Sequence, residues 1–139
     1  MRILQCLTAA VAIAAIGAAA PAVARDRLTG EAKLAKIIDG RVAGKPVDCV
    51  PITQIRSTEI IDRTAIVYTA SNGTVYVNRP SGANFLDDDD ILVSEPYNGQ
   101  ACRIDIVRLI DRGSRMPSGS IGLNDFTPYP KPPKPPKAD

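Results

Sequence analysis

Thr64-Ala65-Ile66-Val67-Tyr68-Thr69-Ala70-Ser71-Asn72-Gly73-Thr74-Val75-Tyr76-Val77-Asn78 is the stretch whose reading decides the fold. It is rich in β-branched and aromatic residues, and the two runs flank an Asn-Gly pair. Asn-Gly is a strong short-range hairpin signal, because both residues tolerate positive φ. With Asn72 and Gly73 as the two turn residues, Ser71 faces Thr74, Ala70 opposes Val75 and Tyr68 opposes Val77. Ile66 then extends the same apolar face. The opposite face, with Val67, Thr69, Tyr76 and Asn78, is expected to be at most half buried.

Further strands are expected on both sides of this hairpin. Upstream, residues 47–50 form a first strand that Pro51 ends, and residues 55–61 form a second before a tight turn at Asp62-Arg63. Downstream, Ile91-Leu92-Val93 is a strand, and Asn98-Gly99 marks another turn. Residues 101–106 alternate, with Cys102, Ile104 and Ile106 on one face and Arg103 and Asp105 on the other. Period alone leaves residues 107–111 open between strand and helical turn. Residues 120–126 make a plausible last strand. Before all of these, residues 29–39 read as one helix, capped by Thr29, with Leu34, Ile37 and Ile38 as its apolar stripe and Gly40 as its stop. The expected fold is mainly β: a small antiparallel barrel or sandwich of five to seven short strands with one N-terminal helix. It occupies residues 25–129 as a single domain. Residues 130–139 are expected to be a disordered polyproline tail.

The first 24 of the 139 residues have the three parts of a cleavable export signal. Met1-Arg2 is positive, residues 3–20 are apolar and alanine-rich, and Ala22-Val23-Ala24 offers the small side chains a signal peptidase needs. Cleavage after Ala24 places the mature chain in the periplasm or medium, with no transmembrane span. The stretch is long enough to be read instead as a membrane anchor, but its alanine content makes it weakly hydrophobic. Removal of the leader takes Cys6 with it and leaves Cys49 and Cys102. In an oxidising compartment the simplest outcome is one disulfide between them. The rivals are two free thiols and a redox dithiol, which usually shows C-x-x-C at a helix start.

Composition narrows the function classes. Losing Arg2 brings the 17 basic residues to 16, against 15 acidic ones. Such a balance argues against nucleic-acid binding. The chain has no histidine, the commonest general base and metal ligand. No cofactor motif is present and no G-x-S-x-G elbow appears, so an enzyme would have to work with carboxylates such as Asp62, Asp105 and Asp111.

Several runs resemble a family of small exported proteobacterial proteins of unknown function. They are Asp48-Cys49-Val50-Pro51-Ile52, Ile60-Ile61-Asp62-Arg63-Thr64, Tyr76-Val77-Asn78, Ala101-Cys102-Arg103-Ile104-Asp105 and Asp125-Phe126-Thr127-Pro128-Tyr129. The likeness spans residues 40–129 and implies export and a β domain. Members often carry extra cysteines that this chain lacks, and the family brings no activity.

Two polar constellations stand out. Asp87, Asp88, Asp89 and Asp90 are a candidate cation site, since hard cations take six to eight oxygens. Metal loops space their ligands, however, so a solvated turn is the plainer reading. Lys131, Lys134 and Lys137 recur every third residue and would line one edge of a polyproline helix. With Arg108, Arg112 and Arg115 they are candidates for contact with an anionic surface. The expected function is a non-enzymatic periplasmic domain that binds a protein partner or an anionic envelope component. The alternatives are a protein binding a cation or small ligand through residues 87–90, and a carboxylate-based enzyme.

Overall fold

The computed structural model describes residues 29–134. The export signal and Lys137 lie outside the described residues. Helix α1 (Gly30–Ile37) is followed by nine strands: β1 (Cys49–Pro51), β2 (Ile55–Ile61), β3 (Ala65–Ala70), β4 (Val75–Asn78), β5 (Asp90–Val93), β6 (Gln100–Cys102), β7 (Ile106–Asp111), β8 (Pro117–Gly122) and β9 (Phe126–Tyr129). They form three antiparallel sheets, ordered β1-β6, β2-β3-β4-β9 and β5-β7-β8. The mainly β fold stands, as an open sandwich and not a closed barrel. The strand count exceeds five to seven because two pieces are only three residues long. Residues 120–126 also split between β8 and β9 around an irregular turn.

The four-stranded sheet is the middle layer. One face carries Ile60, Ile66, Tyr68 and Phe126, which pack on Leu109, Val107 and Ile121 of the three-stranded sheet and on Val50 and Ala101 of the β1-β6 ribbon. The other face carries Ile61, Ala65, Val67, Val75 and Val77, and Leu34 of α1 covers them. Burying a side chain such as Phe126 or Leu109, both 0% exposed, stabilises the fold by about 2 kcal/mol each.

This layering corrects the hairpin register. The pairs are Thr69 with Val75, Tyr68 with Tyr76 and Val67 with Val77. The Ala70 N–H donates to the Thr74 carbonyl, and the Gly73 N–H donates to the Ala70 carbonyl. The loop is therefore three residues, with only Gly73 at positive φ (86°). Asn72 uses its side chain instead, accepting from the Thr74 N–H at 2.9 Å. The one-residue shift moves Val75 and Val77 to the face of Val67. Both faces are buried, because the helix covers the side expected to meet solvent. Asn78 is also buried, exchanging hydrogen bonds with the backbone of Asn124.

A second correction concerns residues 101–106. Asp105 Oδ2 accepts from the Cys102 N–H at 2.8 Å, and the Asp105 N–H donates to the Cys102 carbonyl. This tight turn ends β6 before β7 begins. Ile104 and Ile106 are left 82% and 69% exposed, not in the core. Residues 107–111, left open between strand and helical turn, continue β7 as strand.

The expected bridge is present: Cys49 and Cys102 are disulfide-bonded across the ribbon. They sit directly opposite each other, flanked by the Arg103 N–H donating to the Asp48 carbonyl. That is a non-hydrogen-bonded pair, where antiparallel strands approach most closely, and the Cα atoms are 4.0 Å apart. Val50 and Ala101 face the core, so the half-buried disulfide lies on the ribbon's outer face.

Candidate functional site

β2 is an edge of the four-stranded sheet and β5 an edge of the three-stranded sheet. Where these edges approach, they border a groove of about 450 Å³. Thr58, Glu59 and Ile60 come from β2, Asp90, Ile91 and Leu92 from β5, and Lys33 from α1. Asp88 and Arg112 complete the rim. The far edge of the same sheet, β9, has neighbours: Val47 bridges Phe126, and the Gly44 N–H donates to the Pro128 carbonyl.

Most charges around the groove are matched. Lys33 Nζ is 2.9 Å from Glu59 Oε1, and Arg112 Nε is 3.5 Å from Asp89 Oδ1. Asp88 has no ion pair among the described residues. Asp90 differs from its neighbours in sequence. It shares the inward face of β5 with Leu92 and is 5% exposed. Its Oδ1 accepts from the Ser118 hydroxyl at 2.9 Å, while its buried Oδ2 has no partner.

The four consecutive aspartates are thus not gathered around one point. Asp87 Oδ1 accepts from the Asp89 N–H at 2.9 Å and shapes the turn. Among the described residues, no three acidic, histidine or cysteine side chains are arranged to hold a metal ion. Two of the other candidate carboxylates are occupied locally: Asp105 Oδ2 accepts from the Cys102 N–H, and Asp111 Oδ1 accepts from the Ser114 N–H at 2.6 Å. At Asp62 it is the backbone carbonyl that accepts from the Thr64 hydroxyl. The Ser114 side chain and N–H hold the Asp111 carboxyl below its ordinary range.

The basic residues divide between two regions. Arg108 pairs with Glu95 at 3.3 Å, Arg112 pairs with Asp89, and Arg115 sits in the β7–β8 turn at φ 61°. Lys131 lies beside Gly73 at the β3–β4 turn, and Lys134 is exposed beyond it. Two of the three arginines are therefore already neutralised by carboxylates.

Lys33, Thr58 and Glu59 escaped the sequence reading, because the groove joins elements far apart in the chain. Asp90 had a signal: period two from Leu92 places it inward. No described helix is long and apolar enough to cross a membrane. Comparison with protein-family models, curated proteins and solved structures finds no match. The likeness to small exported proteobacterial proteins therefore rests on the short runs quoted above.

Proposed function

We propose that this chain is exported, loses residues 1–24, and works outside the cytoplasm as a non-enzymatic binding domain. The observation that supports this reading best is the Cys49–Cys102 disulfide. Such bonds persist in oxidising compartments and are rare in the cytosol. This one links β1 to β6 across a separation of 53 residues, contributing about 4 kcal/mol by the loop-closure argument. An open groove whose charges mostly pair with each other suits recognition better than acid–base chemistry, which needs carboxylates set apart in environment. The basic tail, with Lys131, Lys134 and Lys137, serves in this reading to hold the domain near an anionic envelope surface.

The test is crosslinking in the producing cells with the tagged full chain, followed by osmotic-shock fractionation. The expected result is a discrete crosslinked adduct in the shock-released or membrane fraction. Uncrosslinked chain confined to the cytoplasm would overturn the reading. Deleting residues 130–139 is expected to shift the protein from the membrane fraction to the soluble one. Unchanged fractionation would remove the envelope role of the tail.

A further inference from the structure

We propose that the groove beside β2 takes an extended polypeptide segment and that Asp90 receives a lysine or arginine side chain from it. The inference rests on the binding reading above and adds the site and the chemistry of its occupant.

Two independent observations meet in the groove. The first is the free edge of β2, whose Thr58, Glu59 and Ile60 line it. A free strand edge presents unpaired N–H and C=O groups, and an extended chain satisfies them as an added strand. The bulge at Arg56 interrupts the regular ladder, so the usable edge is the part bordering the groove.

The second is Asp90. Its carboxylate is buried, one oxygen accepts from Ser118, and Oδ2 has nothing. An ionised carboxylate held this way costs several kcal/mol unless a cation or donor completes it. Neither neighbouring cation does so, because Lys33 is engaged by Glu59 and Arg112 by Asp89. Asp88 on the rim adds a second uncompensated negative charge.

The ligand's chemistry follows from these two features. A divalent metal would need several converging oxygens, and the neighbouring aspartates do not converge here. A single ammonium or guanidinium needs one strong acceptor, and its hydrogen bond to a carboxylate is charge-assisted. A side chain projecting from an added strand alternates faces every residue, so one basic residue reaching Asp90 also fixes the register. The tail of a second copy is a poorer occupant, because its prolines have no N–H to give the edge.

The experiment is a titration of the full disulfide-bonded chain, followed by amide NMR shifts. The probe is the acetylated, amidated pentapeptide Thr-Val-Lys-Val-Thr, compared with the same peptide carrying norleucine for lysine. The expected result is movement of the Thr58, Glu59, Ile91 and Leu92 amides, with the norleucine peptide binding about tenfold or more weakly. Asp90→Asn is expected to erase that discrimination without lowering the melting temperature. Should Asp90→Asn fail to fold, Thr58→Lys carries the test. It alters an exposed position and is expected to block the peptide by placing an amine in the groove.

Equal binding of the two peptides, or unchanged discrimination in Asp90→Asn, would overturn the role of Asp90. Equal affinity for N-acetyl-lysine methylamide would overturn the strand addition, and groove shifts caused by calcium chloride instead of the peptide would overturn the organic cation. Absence of peptide binding in a chain that still crosslinks a partner elsewhere overturns this inference alone. Loss of both overturns the binding reading.

Discussion

At the scale of single residues, Gly30 shows how tightly α1 is docked. A Cβ there would run into the Thr64 hydroxyl and the Asp62 carbonyl, so the helix start sits directly on the β2–β3 turn. Gly30→Ala is expected to cost about 1–3 kcal/mol, an overpacking penalty, and to raise hydrogen exchange in α1 before the sheets. Unchanged exchange in α1 would contradict this docking. Tyr68 gives a pH signature. Burial, aided by the Asp105 charge, pushes its phenol up from 10.0 to about 12. The folded state therefore keeps the proton longer than the unfolded chain. The contribution is complete below about pH 10 and is lost as pH rises toward 12, a fall of about 2–3 kcal/mol for this 7%-exposed residue. Denaturant melts at pH 9 and 11 should show about half of that fall, because the folded-state phenol is still mostly protonated at pH 11, and Tyr68→Phe should lessen it. Equal pH slopes would contradict the burial of the hydroxyl. Cys49 and Cys102 were legible as a pair from parity alone. The difference between Asp90 and Asp89 was carried by period two, which sets Asp90 on the face of Leu92, while the packing against the core decides that this face of β5 is the inward one.

At the scale of elements, two Asn-Gly pairs take different backbones. Asn98 and Gly99 both have positive φ (52° and 70°) and close a two-residue turn, with the Gln100 N–H donating to the Tyr97 carbonyl. At Asn72-Gly73 only the glycine is left-handed, and the loop gains a residue. The hairpin itself was readable because both strands are β-branched and flank turn residues. Its register was not, since buried valines on the α1 side and aromatics on the other satisfy either pairing locally. The packed partners decide. Gly73→Ala, at φ 86°, is expected to destabilise by about 1 kcal/mol in a chemical melt, while Asn72→Gly leaves the Thr69–Val75 pairing intact by NMR. A switch to Ala70–Val75 pairing would contradict the three-residue loop. The break of the expected 101–106 strand into β6 and β7 has the same kind of cause. Alternation continues through a bend, but the strand does not.

At the scale of the whole molecule, the class of fold followed from strand spacing and turn residues. The layering did not. It depends on β9 joining β4 and on β1 joining β6, contacts between residues about fifty apart that leave no periodic trace. Phe126 ties these levels together, fully buried and meeting the Tyr68 ring edge-on at 5.5 Å. Phe126→Ala is expected to cost about 3–5 kcal/mol, enough to unfold a marginal domain of this size, as a denaturant melt would show. The groove is likewise a property of the assembled layers, since residues of α1, β2 and β5 border it together. Export and the disulfide stand or fall together at this scale. Intact-mass measurement on protein recovered from the cells, alkylated before and after reduction, tests them in one step. The account predicts a chain starting at Arg25 that takes up no alkyl group before reduction and two after it. A chain still beginning at Met1, or two groups taken up without reductant, would contradict it.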